Sequence, residues 1–270
     1  MIFKAASPAL PHLRVHLEKY YVDVIGADGS GLIGYAARLG GLAATVAATL
    51  RWEGNPGRAP EARHTLRGQL PVAGDARVTW RCPALALAGT WDAPAPAPAE
   101  QLLWGDARGG VFWQVLAAPA RVTLHAGDRT VVGWGYAERL RLNLPPWRLP
   151  IDGLRWGRFV APAHCAVWIE WAHATPRCWL WHNGAAGARP TVTESGVGWT
   201  DGRVAFGALR PLRTGRLADT VFARWPGLRR WLPARVQTFH ETKWCAPATL
   251  TAADGTVTAG WVIHEHVRLK

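Results

Sequence analysis

Apolar and polar residues alternate in short runs along most of the chain, and runs with a helical period are nearly absent. Residues 20–25 and 32–38 alternate in this way and flank a turn at 27–31 that contains an Asp-Gly pair. Two alternating runs joined by a turn of this composition are typical of a β-hairpin. The pattern therefore predicts a hairpin near the start of the chain.

The same arrangement recurs further along. Residues 121–144 form one such unit around a turn at 125–129, and residues 248–269 form another around 253–255. The only segment with a helical pattern is 217–232, and a proline interrupts it. Many short strands without intervening helices predict an all-β chain, folded either as barrels or as a sandwich.

Three segments rich in proline or glycine interrupt the alternation, at residues 53–63, 92–99 and 144–150. The third lies near mid-chain and ends a predicted strand. Proline cannot donate a hydrogen bond to a central ladder, so the strand cannot continue through this segment. We therefore predict two domains, an N-terminal one at 1–148 and a C-terminal one at 149–270.

Composition sets further bounds on the chain. Its 270 residues are 49% hydrophobic, which is enough to bury a core. No apolar run is long enough for a transmembrane helix, and residues 1–17 lack the layout of a signal peptide, so we expect a cytoplasmic protein. The four cysteines show no metal-ligand spacing, which predicts buried reduced thiols and no metal site.

Tryptophan and charge are both unusual in this sequence. The 17 tryptophans either fill wide barrel cores or line a pocket for a long or polycyclic apolar ligand. The net charge is +12, but the arginines are scattered singly and no nucleic-acid motif accompanies them. We therefore expect no nucleic-acid partner. The alternative explanation of the charge is a peripheral contact with an anionic surface such as the inner membrane.

The segment 132–142 carries the most informative pattern. Side chains alternate across a strand, so Trp134, Tyr136 and Glu138 share one otherwise apolar face. An ionised carboxyl is costly on such a face, which raises its pKa and makes Glu138 a candidate general acid. The alternative is that Arg155, Arg158 or another arginine pairs with Glu138 in a structural network.

Two further strands carry polar groups. In the last strand Glu265 shares a face with apolar residues, whereas His264 and His266 share the other, which we expect to be solvated. In residues 239–244, either face of the strand is suited to line a pocket, and His240 is the candidate there. For Glu241 and Lys243 of the same segment, an exposed pair is the simpler interpretation. No phosphate loop or nucleophile motif is present, which predicts no cofactor.

Four segments resemble, in order, motifs of the lipocalin-like family of carotenoid 1,2-hydratases (hydroxyneurosporene synthases) and AttH proteins. This family is distantly related to fungal pericyclases that form decalins. The matching segments are residues 19–29, 112–122, 133–138 and 154–159. The resemblance implies two lipocalin-like antiparallel β-barrels packed side by side, with a ligand site at or between them.

The resemblance also implies roles for individual residues. Glu138 occupies the position at which the family carries an aspartate proton donor, and its side chain is one methylene longer than that aspartate. Tyr136 would orient the carboxyl of Glu138. Val111 replaces the histidine that the family carries two residues before its pocket tryptophan, which argues against carotenoid hydration itself. The substrate-binding candidates are Trp113, Trp134, Gln114, Tyr21, Trp156, Arg158 and His240.

These observations favour a cofactor-free enzyme acting on an apolar polyene or isoprenoid-like substrate. Glu138 would protonate an alkene, and hydration, isomerisation or cyclisation would follow, with Trp113 and Trp134 stabilising positive charge. Two alternatives stay open at this point. One is a non-catalytic carrier of a lipophilic ligand, and the other is a pericyclase that folds a linear polyketide without acid catalysis.

Overall fold

A computed structural model describes residues 16–40, 44–187, 189–216, 219 and 237–269. These residues form two antiparallel sheets of ten strands each, packed side by side. The predicted all-β class is confirmed. The predicted helix at 217–232 lies outside the described residues, apart from Asp219. Within the described ranges, no helix has the length and apolar character needed to span a bilayer.

The first sheet contains the first ten strands. Their order across the sheet is β4-β3-β2-β1-β10-β9-β7-β6-β5, and β8 also pairs with β9. A short 3-10 helix, Pro83–Leu85, connects β6 to β7. The strands are β1 (Leu17–Gly26), β2 (Gly31–Leu39), β3 (Thr45–Trp52), β4 (Glu61–Thr65), β5 (Val72–Ala73), β6 (Arg77–Cys82), β7 (Leu87–Asp92), β8 (Gln101–Asp106), β9 (Gly109–Ala126) and β10 (Arg129–Leu142).

The second sheet repeats this topology. Its order is β14-β13-β12-β11-β20-β19-β17-β16-β15, and β18 also pairs with β19, so each strand occupies the place of the strand ten positions earlier. The strands are β11 (Gly153–Ala161), β12 (His164–Ala172), β13 (Arg177–His182), β14 (Ala185–Ala186), β15 (Thr191–Val192), β16 (Gly196–Trp199), β17 (Gly202–Phe206), β18 (Arg210–Arg216), β19 (Phe239–Ala252) and β20 (Val257–Leu269).

The connection between the sheets runs from Leu142 to Gly153 and contains the short 3-10 helix Pro146–Arg148. Its consecutive prolines, 145 and 146, have no N–H to donate, so β10 cannot extend through them. The predicted boundary between residues 148 and 149 falls within this connection.

Each sheet curls around a core of its own. Trp80 and Trp91 lie fully buried in the core of the first sheet, and Trp168 lies fully buried in that of the second. Glycines make room for these rings, since a Cβ atom on Gly34 or Gly157 would lie 2.3 Å from the ring of Trp80 or Trp168. Packed aromatic side chains therefore occupy the inside of both curled sheets.

A third core lies between the two sheets. The central strands bury both of their faces, because alternate residues point in opposite directions. On β1, Val22 and Val24 point into the core of the first sheet, whereas Tyr21 and Ile25 point towards the second sheet. Trp113 and Trp181 meet across this core with ring centroids 4.1 Å apart. This region is a cluster of buried side chains from both sheets, and we call it the inter-sheet core.

A buried ion pair crosses the inter-sheet core. Asp23 on β1 accepts hydrogen bonds from Arg158 Nε at 2.9 Å and from Arg158 Nη2 at 2.7 Å, and both side chains are inaccessible to solvent. Arg158 Nη1 also donates to the backbone carbonyl of Trp261 at 3.0 Å. These contacts fix the position of β1 relative to β11 and β20.

Candidate functional site

Glu138 lies in the inter-sheet core. It belongs to β10 and faces Tyr21 of β1 in the strand register. The register between β10 and β9 shifts on both sides of Ala137, because β9 has one residue more than β10 at each step, so β9 bulges opposite the strand segment that carries Glu138. Bulges re-aim side chains and recur near functional sites. The residue is 7% exposed, so its carboxyl is almost completely removed from water.

Three donors converge on one oxygen of this carboxyl. Trp113 Nε1 donates to Glu138 Oε2 at 2.6 Å, the Tyr136 hydroxyl donates at 2.8 Å, and Trp156 Nε1 donates at 3.3 Å. Across the part of the chain that the structure describes, no hydrogen bond is found at the other oxygen, Oε1. When the carboxyl is neutral, its proton therefore belongs on Oε1, because the lone pairs of Oε2 are already engaged.

The surroundings raise the pKa of Glu138. Burial has the largest effect, since it removes water from the carboxylate form. The charge of Lys19 and the hydrogen bonds from Trp113, Tyr136 and Trp156 lower the pKa and offset part of this effect. Burial thus favours the neutral acid, and the three donors stabilise the carboxylate that remains after the proton has left.

No arginine pairs with Glu138 within the described ranges. Arg155 contacts Glu170 and Glu194, and Arg158 is engaged by Asp23. The interpretation of Glu138 as one half of a structural ion pair with either arginine is therefore wrong. A carboxyl that is buried without a cation partner and with a raised pKa has the properties of a general acid.

Aromatic rings surround the carboxyl. The ring of Tyr21 packs edge-on against Trp156, with centroids 4.7 Å apart, and lies 6.1 Å from Tyr136. Trp181 packs against Trp113. Burial also raises the pKa of both Tyr21 and Tyr136 well above the ordinary value, so both hydroxyls keep their protons at neutral pH. The site is an apolar, aromatic environment with one acid at its centre.

A second charged cluster lies in the same core. Lys243 is fully buried and pairs with Glu265. Its ammonium also lies 3.5 Å from the carboxylate of Glu241, and that carboxylate binds the Arg213 guanidinium at 2.5 Å. The interpretation of Glu241 and Lys243 as an exposed pair is therefore wrong. These residues lie on the face of β19 towards the first sheet, where the Lys243 ammonium lies 5.6 Å from the centre of the Tyr35 ring. The positive charge of Lys243 lowers the pKa of Glu265 despite its burial.

Glu138 and Glu265 occupy equivalent positions of the two sheets. Each follows a Gly-Trp pair by four residues, Gly133-Trp134 in β10 and Gly260-Trp261 in β20. In the register, Glu138 faces Tyr21 and Glu265 faces Trp156. The two carboxyls differ in partners, because a lysine neutralises Glu265 whereas Glu138 receives only neutral donors.

The histidines of the last strand differ from the expectation. His264 is 2% exposed and lies inside the second curled sheet, where its ring stacks with Trp244 at 5.7 Å. Burial lowers its pKa to about 3, and burial and the charge of Arg268 lower that of His266 to about 4. The prediction that His264 is solvated is therefore wrong, because β20 is covered on both faces.

The other predicted site residues lie at varied distances from this centre. Trp134 is half-buried on the same face of β10 as Glu138. Gln114 points away from the inter-sheet core and binds the Pro98 carbonyl and Arg139. His240 is half-buried in β19, opposite Arg216 and Arg268 in the register. The structure thus brings Tyr21, Trp113 and Trp156 to Glu138 and Tyr136, and it uses Arg158 to join the sheets.

A small cleft lies elsewhere, on the first sheet. Its volume is about 20 Å³, room for one water molecule. Its lining contains no tryptophan and consists of Leu32, Thr49, Arg51, Glu61, Arg63, Leu85, Leu87 and Ala126. This cleft is therefore separate from the aromatic site around Glu138. Among the described residues, no group of three or more His, Cys, Asp or Glu side chains is placed to hold a metal ion.

Comparison with solved structures identifies proteins of the same fold. An AttH protein of Nitrosomonas europaea superposes with a TM-score of 0.55 at 10% identity, over 97% of this chain and 98% of its own. Kievitone hydratase from Nectria haematococca gives 0.54 at 9% identity, over 94% and 89%. CghA gives 0.53 at 13% identity, over 95% and 89%. No protein-family model and no curated protein sequence matches the chain.

The chain has the fold of these three proteins. They correspond to the groups that the sequence motifs resemble, so the resemblance is confirmed at the level of the fold. The superpositions cover 98%, 89% and 89% of the three neighbouring chains. Fold alone does not carry an activity from one protein to another, so the function must be argued from the inter-sheet core.

Proposed function

We propose that this protein is a cofactor-free enzyme that protonates an alkene of an apolar substrate in the inter-sheet core. The observation that carries the proposal is the state of Glu138. It is buried, forms no ion pair with a described residue, and receives on one oxygen the three hydrogen bonds that the described residues donate to it. Such a carboxyl holds its proton to a higher pH than an ordinary glutamate and can deliver it from Oε1 to a carbon atom placed beside it.

The reaction would proceed in two steps. Glu138 Oε1 gives its proton to one alkene carbon, and the neighbouring carbon becomes positively charged. The electron pair of the former O–H bond stays on the carboxylate, which Trp113, Tyr136 and Trp156 stabilise through their hydrogen bonds. Attack by water followed by loss of its proton gives hydration, and loss of a proton from a neighbouring carbon gives isomerisation. Attack by a second alkene gives a cyclic cation, which then loses a proton from a neighbouring carbon. In each case the proton that is released restores the acid.

The rings around the carboxyl favour such a cation. The faces of Tyr21 and Trp156 lie within the same cluster as Glu138, and aromatic faces attract positive charge strongly when water is excluded. Trp113 takes a different part from the one that the sequence predicts, because its N–H donates to Glu138. Trp156 combines a donated hydrogen bond with a ring face in the site.

The fold neighbours are compatible with this activity. Kievitone hydratase is named for a hydration, and CghA is also known in a structure with Sch210972, which superposes with a TM-score of 0.51. The CghA likeness supports a second candidate, cyclisation of a linear polyketide without acid catalysis. The two candidates differ in one respect that can be measured, which is whether a solvent proton enters the product.

Deuterium uptake from the solvent tests the proposal. Purified protein in D₂O would be incubated with geraniol, farnesol, squalene and lycopene, and the products analysed by mass spectrometry. We expect one carbon-bound deuterium per product from the wild type and none from Glu138→Gln, with Glu61→Gln on the exposed β4 as the matched control. A product without deuterium would favour the second candidate. Substrate recovered unchanged from the wild type would favour a carrier.

A further inference from the structure

Two buried donors beside Glu138 have no hydrogen-bond acceptor among the described residues. They are the hydroxyl of Tyr21 and the indole N–H of Trp181, and each side chain is 2% exposed. An unpaired buried donor loses its hydrogen bond to water and gains nothing in return. Folded proteins rarely leave such groups unpaired, and two in one core require an explanation.

The positions of these donors connect them to the acid. Tyr21 packs against Trp156, and Trp181 packs against Trp113, with centroids 4.7 Å and 4.1 Å apart. Trp156 and Trp113 are the two tryptophans that donate to Glu138. Each unpaired donor is therefore one ring removed from the acid.

Nearby carboxylates do not supply the missing acceptors. Both oxygens of Asp23, two residues from Tyr21, bind Arg158. Asp23 is close enough to raise the pKa of the Tyr21 hydroxyl, but the two groups do not reach the length and angle of an ordinary hydrogen bond. Glu138 Oε2 already accepts three hydrogen bonds. A ligand atom is thus the natural acceptor for these two groups.

The charge balance specifies what kind of acceptor fits. The buried cations of this region already have carboxylate partners: Arg158 pairs with Asp23, Lys243 with Glu265 and Arg213 with Glu241. An anionic ligand would lie close to these carboxylates, and Lys19, whose positive charge also reaches the site, already acts on Glu138 and Glu265. A neutral oxygen with lone pairs, as in a ketone, an aldehyde or an alcohol, meets the donors without this cost.

We propose, on the basis of the function proposed above, that the substrate is an oxygenated apolar molecule whose neutral carbonyl or hydroxyl oxygen is bound by Tyr21 and Trp181. The hydrocarbon part lies against the rings of the inter-sheet core, and the oxygen fixes which alkene meets Glu138. An unfunctionalised polyene would leave both donors unpaired and is bound less tightly.

Three probes with one carbon skeleton test this inference: farnesene without oxygen, farnesol with a hydroxyl and farnesal with a carbonyl. Equilibrium dialysis would give the Kd of each. We expect farnesal and farnesol to bind at least about 10-fold more tightly than farnesene, as one gained hydrogen bond implies. Equal affinity for the three, or binding of none, would overturn the inference.

Two adjacent tyrosines of β1 provide a matched pair of variants. Tyr21→Phe removes the unpaired hydroxyl, and we expect it to abolish most of the preference for oxygenated probes while leaving the Kd of farnesene unchanged. The Tm should be equal to that of the wild type or higher, because a buried donor without a partner opposes folding. Tyr20→Phe acts on the opposite face, where the hydroxyl donates to Glu18, and should leave the preference intact. A lower Tm for Tyr21→Phe than for Tyr20→Phe would show that the Tyr21 hydroxyl already has a partner, and would refute the assignment.

The outcomes separate this inference from the function on which it rests. Deuterium uptake that is lost in Glu138→Gln but is as fast with farnesene as with farnesal would keep the acid and overturn oxygen recognition. Oxygen-dependent binding through Tyr21 without any deuterium uptake would keep the recognition and overturn the acid. Trp181→Phe should reproduce the loss of preference, since it removes the second donor and retains an aromatic ring.

Discussion

The Asp23–Arg158 pair provides a quantitative test of how the two sheets are joined. Replacing Arg158 by methionine keeps most of the side-chain volume and removes the charge. It leaves the Asp23 carboxylate buried, without its two hydrogen bonds at 2.7 and 2.9 Å, and leaves the Trp261 carbonyl without its donor at 3.0 Å. Leaving one buried charge uncompensated costs about 3–5 kcal/mol, a large part of the stability of an ordinary domain.

The double variant Asp23→Leu/Arg158→Met gives the opposite expectation. Both charges are absent, so their desolvation no longer opposes folding, and we expect a stability within about 2 kcal/mol of the wild type. Arg63→Met serves as a control, because the pair of Arg63 with Glu61 is exposed on both sides and contributes under about 1 kcal/mol.

Urea denaturation followed by tryptophan fluorescence and circular dichroism would measure these free energies. The double-mutant cycle gives the coupling between Asp23 and Arg158 directly. If Arg158→Met costs no more than Arg63→Met, or if the double variant is as unstable as the sum of the single ones, the pair is not the buried link between the sheets that the geometry indicates.

Three further predictions concern other parts of the molecule. Burial lowers the pKa of His264 from 6.5 to about 3, so between these pH values the unfolded chain binds a proton that the folded chain does not. As the pH falls through this range, His264 lowers the free energy of unfolding by up to about 1.4 kcal/mol per pH unit. His264→Phe should make the decline less steep, and an unchanged profile would contradict this prediction. Burial raises the pKa of Cys165 and Cys245 to about 12. In the native protein a thiol reagent should therefore label the half-buried Cys178 before it labels either of these two. The reverse order would show that Cys165 and Cys245 are not buried. The net charge of +12 predicts that the protein sediments with anionic liposomes and not with neutral ones. Equal sedimentation with both kinds would contradict the predicted contact with an anionic membrane.

Much of the first sheet can be predicted from the sequence because its signals are local. The turn at 27–31 and the alternation on either side predict β1 and β2, and the alternation in 132–142 places Tyr136 and Glu138 on one face. The family motifs add Trp113 and Trp156, which the structure brings to the same carboxyl. In each case, residues close together in sequence carry the whole pattern.

Properties that depend on the packing of the two sheets could not be predicted in this way. Asp23 lies 135 positions from Arg158, so no local pattern reveals that they pair. Lys243 and His264 look exposed when one face of a strand is assumed to meet water, but the central strands of this fold are covered on both faces. The sequence does contain one such signal. A Gly-Trp pair is followed four residues later by glutamate in both β10 and β20, which assigns Glu138 and Glu265 to equivalent positions of the two sheets.

The protonation state of Glu138 is the most direct test of the central claim. A neutral carboxyl has a carbonyl band in the infrared spectrum. The difference spectrum between the wild type and Glu138→Gln would isolate this band for Glu138, and the band would be followed as the pH rises above the ordinary glutamate pKa of 4.5. We predict that the band persists above that pH, and that it persists to still higher pH in Trp113→Phe, which lacks one donor to the carboxylate. A band that has already fallen to half its intensity at pH 4.5 would mean that Glu138 titrates as an ordinary carboxyl, and would contradict its role as the acid.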